Sequence, residues 1–97
     1  MKVTFEPAAR DDLDRIFAWI AGDNPRAALG MIARIEHKVM QLENPELTHM
    51  GRPGLVEGTR ELLEWPYIIV YRMDDVRREI VIVSIAHGAQ DREGKAP

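Results

Sequence analysis

The side chains that could carry acid–base or metal chemistry in this 97-residue chain are few. His37, His49 and His87 lie too far apart in the sequence to form a familiar metal-ligand motif. Cysteine is absent, which excludes thiolate metal sites and disulfides. The sequence also lacks a phosphate-binding loop, a nucleophile elbow, a zinc-protease helix and a dinucleotide fingerprint. We therefore predict neither a metal nor a cofactor.

Two pairs of neighbouring acidic residues could suggest acid–base catalysis, namely Asp11–Asp12 and Asp74–Asp75. Adjacent side chains on a helix or strand point in different directions, so neither pair forms a site by itself. The first pair suits the positive end of a helix dipole, and the second suits an exposed turn. We predict structural roles for both pairs.

Other polar and aromatic side chains are candidates for binding a partner. Arginine, tryptophan and tyrosine are enriched at the residues that dominate protein interfaces. By this criterion the candidates are Arg60, Trp65, Tyr67 and Arg72. A structural alternative stays open, because Tyr67 could be a core residue with a tethered hydroxyl and Arg72 could be a solvated strand end.

The composition is that of one ordinary globular domain spanning residues 1–97, with 45% hydrophobic and 30% charged residues. Its net charge of −3 disfavours extensive contact with a nucleic acid backbone. No apolar run approaches the roughly 18 residues of a membrane-spanning helix. The sequence opens without a basic and apolar leader, so we expect a cytoplasmic protein.

The second half of the chain predicts three antiparallel strands. Tyr67–Tyr71 is a run of five β-formers, typical of a central strand that is buried on both faces. A strand over Thr59–Leu63 precedes it, and the two are joined by a bend at Trp65–Pro66. Ile80–Ile85 is the third β-forming run.

The first half predicts a strand over Lys2–Phe5 and then a helical hairpin. The first helix begins near Pro7, and Gly22 to Pro25 end it and start the second, which runs to about Asn44. Two apolar stripes at helical spacing are predicted to face the core. These are Leu13, Ile16, Phe17 and Ile20 on the first helix, and Ala28, Ile32, Ile35, Val39 and Leu42 on the second.

The predicted fold class is therefore α+β, with the order β-α-α-β-β-β and both helices packed on one face of the sheet. Residues 45–58 form a long connection, which is either a contact surface or a plug made by Leu47, Met50, Leu55 and Val56. Residues 91–97 are predicted to be a frayed tail. A DNA-reading helix-turn-helix fits poorly, because the second helix has no basic face.

Four segments in this order resemble the RelE/ParE superfamily of bacterial toxins, on the ParE side. They are Gly51–Gly54, Gly58–Leu62, Pro66–Arg72 and His87-Gly88-Ala89. The resemblance covers nearly the whole chain. It implies the toxin of a type II toxin–antitoxin system, which inhibits DNA gyrase and is neutralised by a ParD-type antitoxin in a toxin–antitoxin hetero-oligomer.

The other branch of the superfamily consists of ribosome-dependent messenger RNA endoribonucleases, the alternative function for this chain. Those enzymes resemble this sequence but keep an arginine where it has Ile68, and an aliphatic group cannot stabilise a phosphoryl-transfer transition state. No tyrosine follows His87. We therefore predict no catalytic residues, although Arg60 and His87 would be the acid–base pair of a nuclease if they came close together.

The sequence-based prediction of the interfaces has two parts. The target-binding residues are Arg60, Trp65, Tyr67, Arg72 and His87. The antitoxin is predicted to cover the outer helical layer and the loop after it, at apolar residues outside the main core stripe. These are Ala27, Met31, Met40 and Leu47.

Overall fold

A computed structural model describes residues 1–88, in which two helices lie against one face of a five-stranded sheet. The elements are β1 (Lys2–Phe5), α1 (Pro7–Ala21), α2 (Pro25–Met40), a 3₁₀ turn (Gln41–Glu43), β2 (Arg52–Pro53), β3 (Arg60–Glu64), β4 (Tyr67–Asp74) and β5 (Glu79–His87). The predicted α+β fold is confirmed. The tail predicted at 91–97 lies outside the described residues. Within residues 1–88, neither helix has the length and apolarity needed to cross a membrane.

The strand order in the sheet is β1-β5-β4-β3-β2, which makes β4 the central strand, as predicted. β3, β4 and β5 are successively antiparallel. β1 pairs in parallel with β5, from Lys2 opposite Glu79 to Phe5 opposite Ile82. A parallel pair needs a long connection, and the helical hairpin is part of it. The two-residue strand β2 was not predicted.

β4 is buried on both faces, as its uninterrupted β-forming run indicates. On the helix side, Ile69 and Tyr71 have no solvent exposure. Ile68 alternates to the other face and is also buried. The sheet centre is therefore apolar on both sides.

α1 begins at Pro7, as predicted, but its core stripe differs in one residue. Leu13 and Ile16 are buried and Ile20 packs partly against the core. The prediction for Phe17 is wrong, since this side chain is 38% exposed. It lies at an open groove between α1 and α2, because the side of α1 that faces the sheet passes through Leu13 and Ile16 instead.

α2 starts as its sequence predicts, with the Asn24 side chain accepting a hydrogen bond from the Ala27 amide at 3.1 Å. Ile35 and Val39 are fully buried. The helix ends at Met40, before the predicted end, and the chain continues as the 3₁₀ turn, which brings Leu42 into the core.

Hydrogen bonds fix the long connection before β3. The buried Tyr71 hydroxyl donates to the Thr48 carbonyl at 2.9 Å and accepts from the Gly51 amide at 3.2 Å. Leu55 and Val56 are largely exposed and Met50 is 38% exposed, so the hypothesis of an apolar plug is wrong for these three residues. The side chain of Tyr71, in the central strand, therefore holds the connection in place.

Candidate functional site

β5 is longer than the strand beside it, which leaves part of the sheet edge open. β1 pairs only with Glu79–Ile82, so within the described chain residues 83–87 have no strand on that side. A bulge shifts the pairing of β4 and β5 at this point, between Val70 and Tyr71. The Ile85 amide beyond the bulge donates to the Asp12 carboxylate of α1 at 2.9 Å.

A cleft of about 600 Å³ lies between this edge and α1. Residues of three elements line it: Asp12, Arg15, Ile16 and Trp19 from α1, Tyr67 from β4, and Ser84, Ile85, Ala86 and His87 from β5. Asp12 also forms an ion pair with Arg15. One wall of the cleft is thus a helix, and the other is a strand edge.

Tyr67 and His87 face each other across the end of β4 and β5. Their rings pack edge to face, with centroids 5.6 Å apart and planes at 81°. Burial raises the pKa of the Tyr67 phenol above its ordinary value of 10.0, because the anion would lose hydration. Tyr67 is therefore a neutral aromatic group near pH 7.

Two tryptophans are unusually exposed at the same end of the molecule. Trp19 lines the cleft and is 80% exposed. Trp65 is 68% exposed and lies in the turn before Tyr67, where the Pro66 carbonyl accepts a hydrogen bond from the Gly88 amide at 2.8 Å. Large exposed aromatic side chains contribute much binding energy when a partner buries them. We call Trp19, Trp65, Tyr67 and His87 the aromatic end.

Arg60 is remote from this end. Arg60 pairs with Tyr71 of β4, whereas His87 pairs with Tyr67 of the same strand. Tyr67 and Tyr71 are four residues apart, which corresponds to about 13 Å along β4. The Arg60 guanidinium donates to the carbonyls of His49, at 3.0 Å, and Gly51. The structure does not bring Arg60 and His87 together.

Arg72 lies beside Arg60 at the far end of β4. Its guanidinium forms an ion pair with Glu6 at 3.3 Å, between the central strand and the start of α1. Both arginines of the predicted target-binding set therefore contact the chain's own loops and strand ends.

The four predicted antitoxin-binding residues differ in their exposure. Ala27 and Met40 are exposed on α2. Leu47 is half-buried in the loop after the helices. Met31 is also half-buried and packs against the core, so its placement off the core was wrong.

The face of the sheet opposite the helices is aliphatic at its centre. Strand alternation and register place Leu63, Ile68 and Ala86 in one row across this face, and Glu61, Val70 and Ser84 in the next row. Ile68 occupies the position where the resemblance to the ribonuclease branch would predict an arginine. Its neighbours in the row carry no charge that could bind a phosphate.

Asp12, Arg15 and Trp19 line the cleft but were not predicted as site residues from the sequence. Trp19 could have been found, because a tryptophan outside the apolar stripe of an amphipathic helix is expected to be exposed. The contact of Asp12 with Ile85 spans 73 positions and depends on a bulge, so no local pattern predicts it.

Comparison with known proteins agrees with this fold. The family model for the ParE toxin of the type II toxin–antitoxin system parDE matches residues 3–92. The chain belongs to the ParE toxin family. It is 41% identical over 80 residues to the curated "Putative toxin Y4kP" of Sinorhizobium fredii, covering 80% of this chain and 78% of the relative.

Two solved structures extend the comparison. A chain of the chromosomal ParDE system of P. aeruginosa is 29% identical, with a TM-score of 0.76 over 90% of this ParE-family chain and 95% of the other. A chain of the toxin–antitoxin complex RelBE2 from Mycobacterium tuberculosis is 26% identical, with a TM-score of 0.63 over 89% and 95% of the two chains. This ParE-family protein is thus a type II toxin whose fold is shared across the superfamily.

Proposed function

We propose that this ParE-family toxin acts in the cytoplasm by binding and inhibiting DNA gyrase, and that a ParD-type antitoxin neutralises it. The observation that carries the proposal is the separation of Arg60 from His87, with the Arg60 guanidinium bound to two backbone carbonyls. A nuclease would need these groups beside one phosphate. Inhibition by binding has no such requirement.

The chemistry of phosphoryl transfer supports this choice. Cleavage of RNA requires a positive group against the developing charge and an acid–base group within hydrogen-bond reach. The sheet face that carries Ile68 offers aliphatic side chains in its row. Tyr67, with its raised pKa, is a poor general base near neutral pH.

The aromatic end is the best candidate for the contact with gyrase. Trp65 and Trp19 are largely exposed, and the rings of Tyr67 and His87 pack edge to face. Burial of such aromatic groups dominates many protein interfaces. Arg60 and Arg72, by contrast, stabilise the toxin fold in this proposal rather than contact the target.

Two assays on the purified wild-type toxin test the proposal. We expect inhibition of gyrase supercoiling and no cleavage of messenger RNA in a translating extract. Cleavage of messenger RNA in the ribosomal A site, with gyrase unaffected, would instead establish the ribonuclease function.

Matched variants locate the contact. Trp65→Ala and His87→Ala should each lower the potency against gyrase about tenfold, as is typical for an interface contact worth ~1–2 kcal/mol. The control is Val76→Ala, which removes an apolar side chain that is 93% exposed in the β4–β5 turn. Equal potency of Trp65→Ala, His87→Ala and the control would exclude the aromatic end as the contact.

A further inference from the structure

We infer that Arg34 of α2 is a positioning residue for Trp65, because its guanidinium ties the β3–β4 turn to the helix and holds the exposed indole in place for the target. The inference rests on the proposed function for the identity of that target, DNA gyrase. Arg34 itself lies outside the aromatic end and acts on it through the backbone of the turn.

The turn that carries Trp65 is short and is held by backbone contacts. Trp65 and Pro66 are the two residues between the end of β3 and the start of β4. The carbonyl groups of both residues accept hydrogen bonds from other elements. The Pro66 carbonyl accepts from the Gly88 amide at 2.8 Å, and the Trp65 carbonyl accepts from the Arg34 guanidinium at 3.4 Å. The turn is therefore tied to the end of β5 by one contact and to α2 by the other.

The Arg34 guanidinium binds the last residue of β3 and the turn at once. Its Nε and Nη2 atoms donate to one Glu64 carboxylate oxygen, at 3.2 and 3.0 Å, and Nη2 also donates to the Trp65 carbonyl. Lys38, one turn further along α2, lies 3.7 Å from the other Glu64 oxygen. A lysine is a point charge, whereas the planar fork of arginine presents several donors in fixed directions. A guanidinium is therefore the group that suits the carboxylate and the turn together.

These contacts should order the turn more than they stabilise the fold. The Arg34 side chain is 56% exposed, and an ion pair that water screens adds little to the free energy of unfolding. The Trp65 side chain is 68% exposed, so its own packing restrains the turn little. A backbone that is ordered before binding lowers the entropy cost of forming an interface. Loss of the Arg34 side chain should therefore weaken the contact of Trp65 with its target while the toxin stays folded.

Direct contact of Arg34 with the target is the alternative role, because exposed arginines are common among the residues that dominate interfaces. The two roles differ in their dependence on Trp65. A residue that acts through Trp65 has no further effect once the indole is removed. A residue that contacts the target independently adds its full loss to that of Trp65→Ala.

A double-mutant cycle in the gyrase supercoiling assay separates the two roles. We expect Arg34→Ala to lower the inhibitory potency of the toxin by about threefold or more, in line with the ordering cost of one side chain. In the Trp65→Ala toxin the same change should have no effect. The matched control is Arg26→Ala, which removes the same charge from another exposed position of α2 and should keep wild-type potency. Equal losses in both backgrounds, or wild-type potency of Arg34→Ala, would overturn the inference.

Arg34→Lys tests the need for the guanidinium. The substitution keeps the positive charge near Glu64 but removes the fork that also binds the Trp65 carbonyl. We expect it to lower potency as much as Arg34→Ala. Wild-type potency of Arg34→Lys would show that charge alone is sufficient and would overturn the role of the Trp65 contact.

NMR relaxation of the backbone amides measures the turn without any partner. We expect the order parameter of the Trp65 amide to fall from about 0.85 in the wild type to below about 0.6 in Arg34→Ala, and to stay unchanged in Arg26→Ala. An unchanged value in Arg34→Ala would overturn the inference whatever the target is. If the wild-type toxin does not inhibit gyrase, the proposed function fails, and the order parameter by itself decides whether Arg34 holds the turn.

Discussion

The Tyr71 side chain joins the central strand to the connection before β3. Its hydroxyl is buried, donates to the Thr48 carbonyl and accepts from the Gly51 amide. Removing the hydroxyl leaves two buried backbone groups without this partner. We expect Tyr71→Phe to lower the free energy of unfolding by about 1–3 kcal/mol, measured by urea denaturation.

The matched control is Tyr67→Phe, which removes the hydroxyl of the β4 tyrosine that lines the cleft. Tyr67 packs through its ring against His87, and phenylalanine keeps that ring. We expect the smaller effect for Tyr67→Phe. Equal stability of Tyr71→Phe and the wild type would show that the two hydrogen bonds do not hold the connection.

Residue types alone predicted part of the site. Trp65, Tyr67 and His87 were expected to bind a partner, and the structure places all three at one end of the sheet. Arg60 and Arg72 have the same interface preference, but their guanidinium groups bind chain segments up to 66 positions away. Such partners depend on tertiary folding, so residue preference could not reveal them.

At the scale of elements, Gly30 and Gly51 differ in whether the packing around them leaves room for a side chain. Gly30 lies in the exposed interior of α2, where an added Cβ would meet no atom within 4 Å. A Cβ at Gly51 would approach the Glu61 carbonyl oxygen to 2.5 Å. Of these two glycines, Gly51 is the one that the packing requires.

We expect Gly30→Ala to stabilise the toxin by about 1 kcal/mol, because alanine has the higher helix propensity. Gly51→Ala should destabilise it, since backbone atoms would have to move. Thermal unfolding of both variants under one set of conditions measures the contrast. A lower melting temperature for Gly30→Ala would indicate that α2 packs differently at this turn.

The elements themselves were largely predictable, and their arrangement was less so. Proline, asparagine and glycine signals located both helix starts and the turn between the helices, because capping is a local interaction. The parallel direction of β1 and the bulge in β5 are settled by pairing between distant segments. The cleft depends on both features, so its existence could not be predicted.

At the scale of the whole molecule, Ile69 lies at the centre of the only core found in the described residues. It is fully buried in the central strand. An aspartate there would be a buried charge without an ion-pair partner, which would lower the free energy of unfolding by several kcal/mol. Domains of this size are stable by only about 5–15 kcal/mol, so we expect Ile69→Asp to unfold the toxin.

Thermal unfolding followed by circular dichroism tests whether Ile69→Asp is folded. Val76→Asp is the control, because the same substitution at a 93% exposed turn should leave the cooperative transition in place. A cooperative melt of Ile69→Asp at the wild-type temperature would contradict the described burial of β4.

The pairing of β1 with β5 also bears on when the sheet and the cleft can form during synthesis of the chain. Lys2 is made before its partner in the sheet, Glu79, which lies 77 positions later in the chain. The sheet cannot be completed until β5 has left the ribosome, and the wall of the cleft that β5 provides is missing until then. A chain that still lacks β5 therefore also lacks the cleft, which forms only when β5 has paired with β1 and β4.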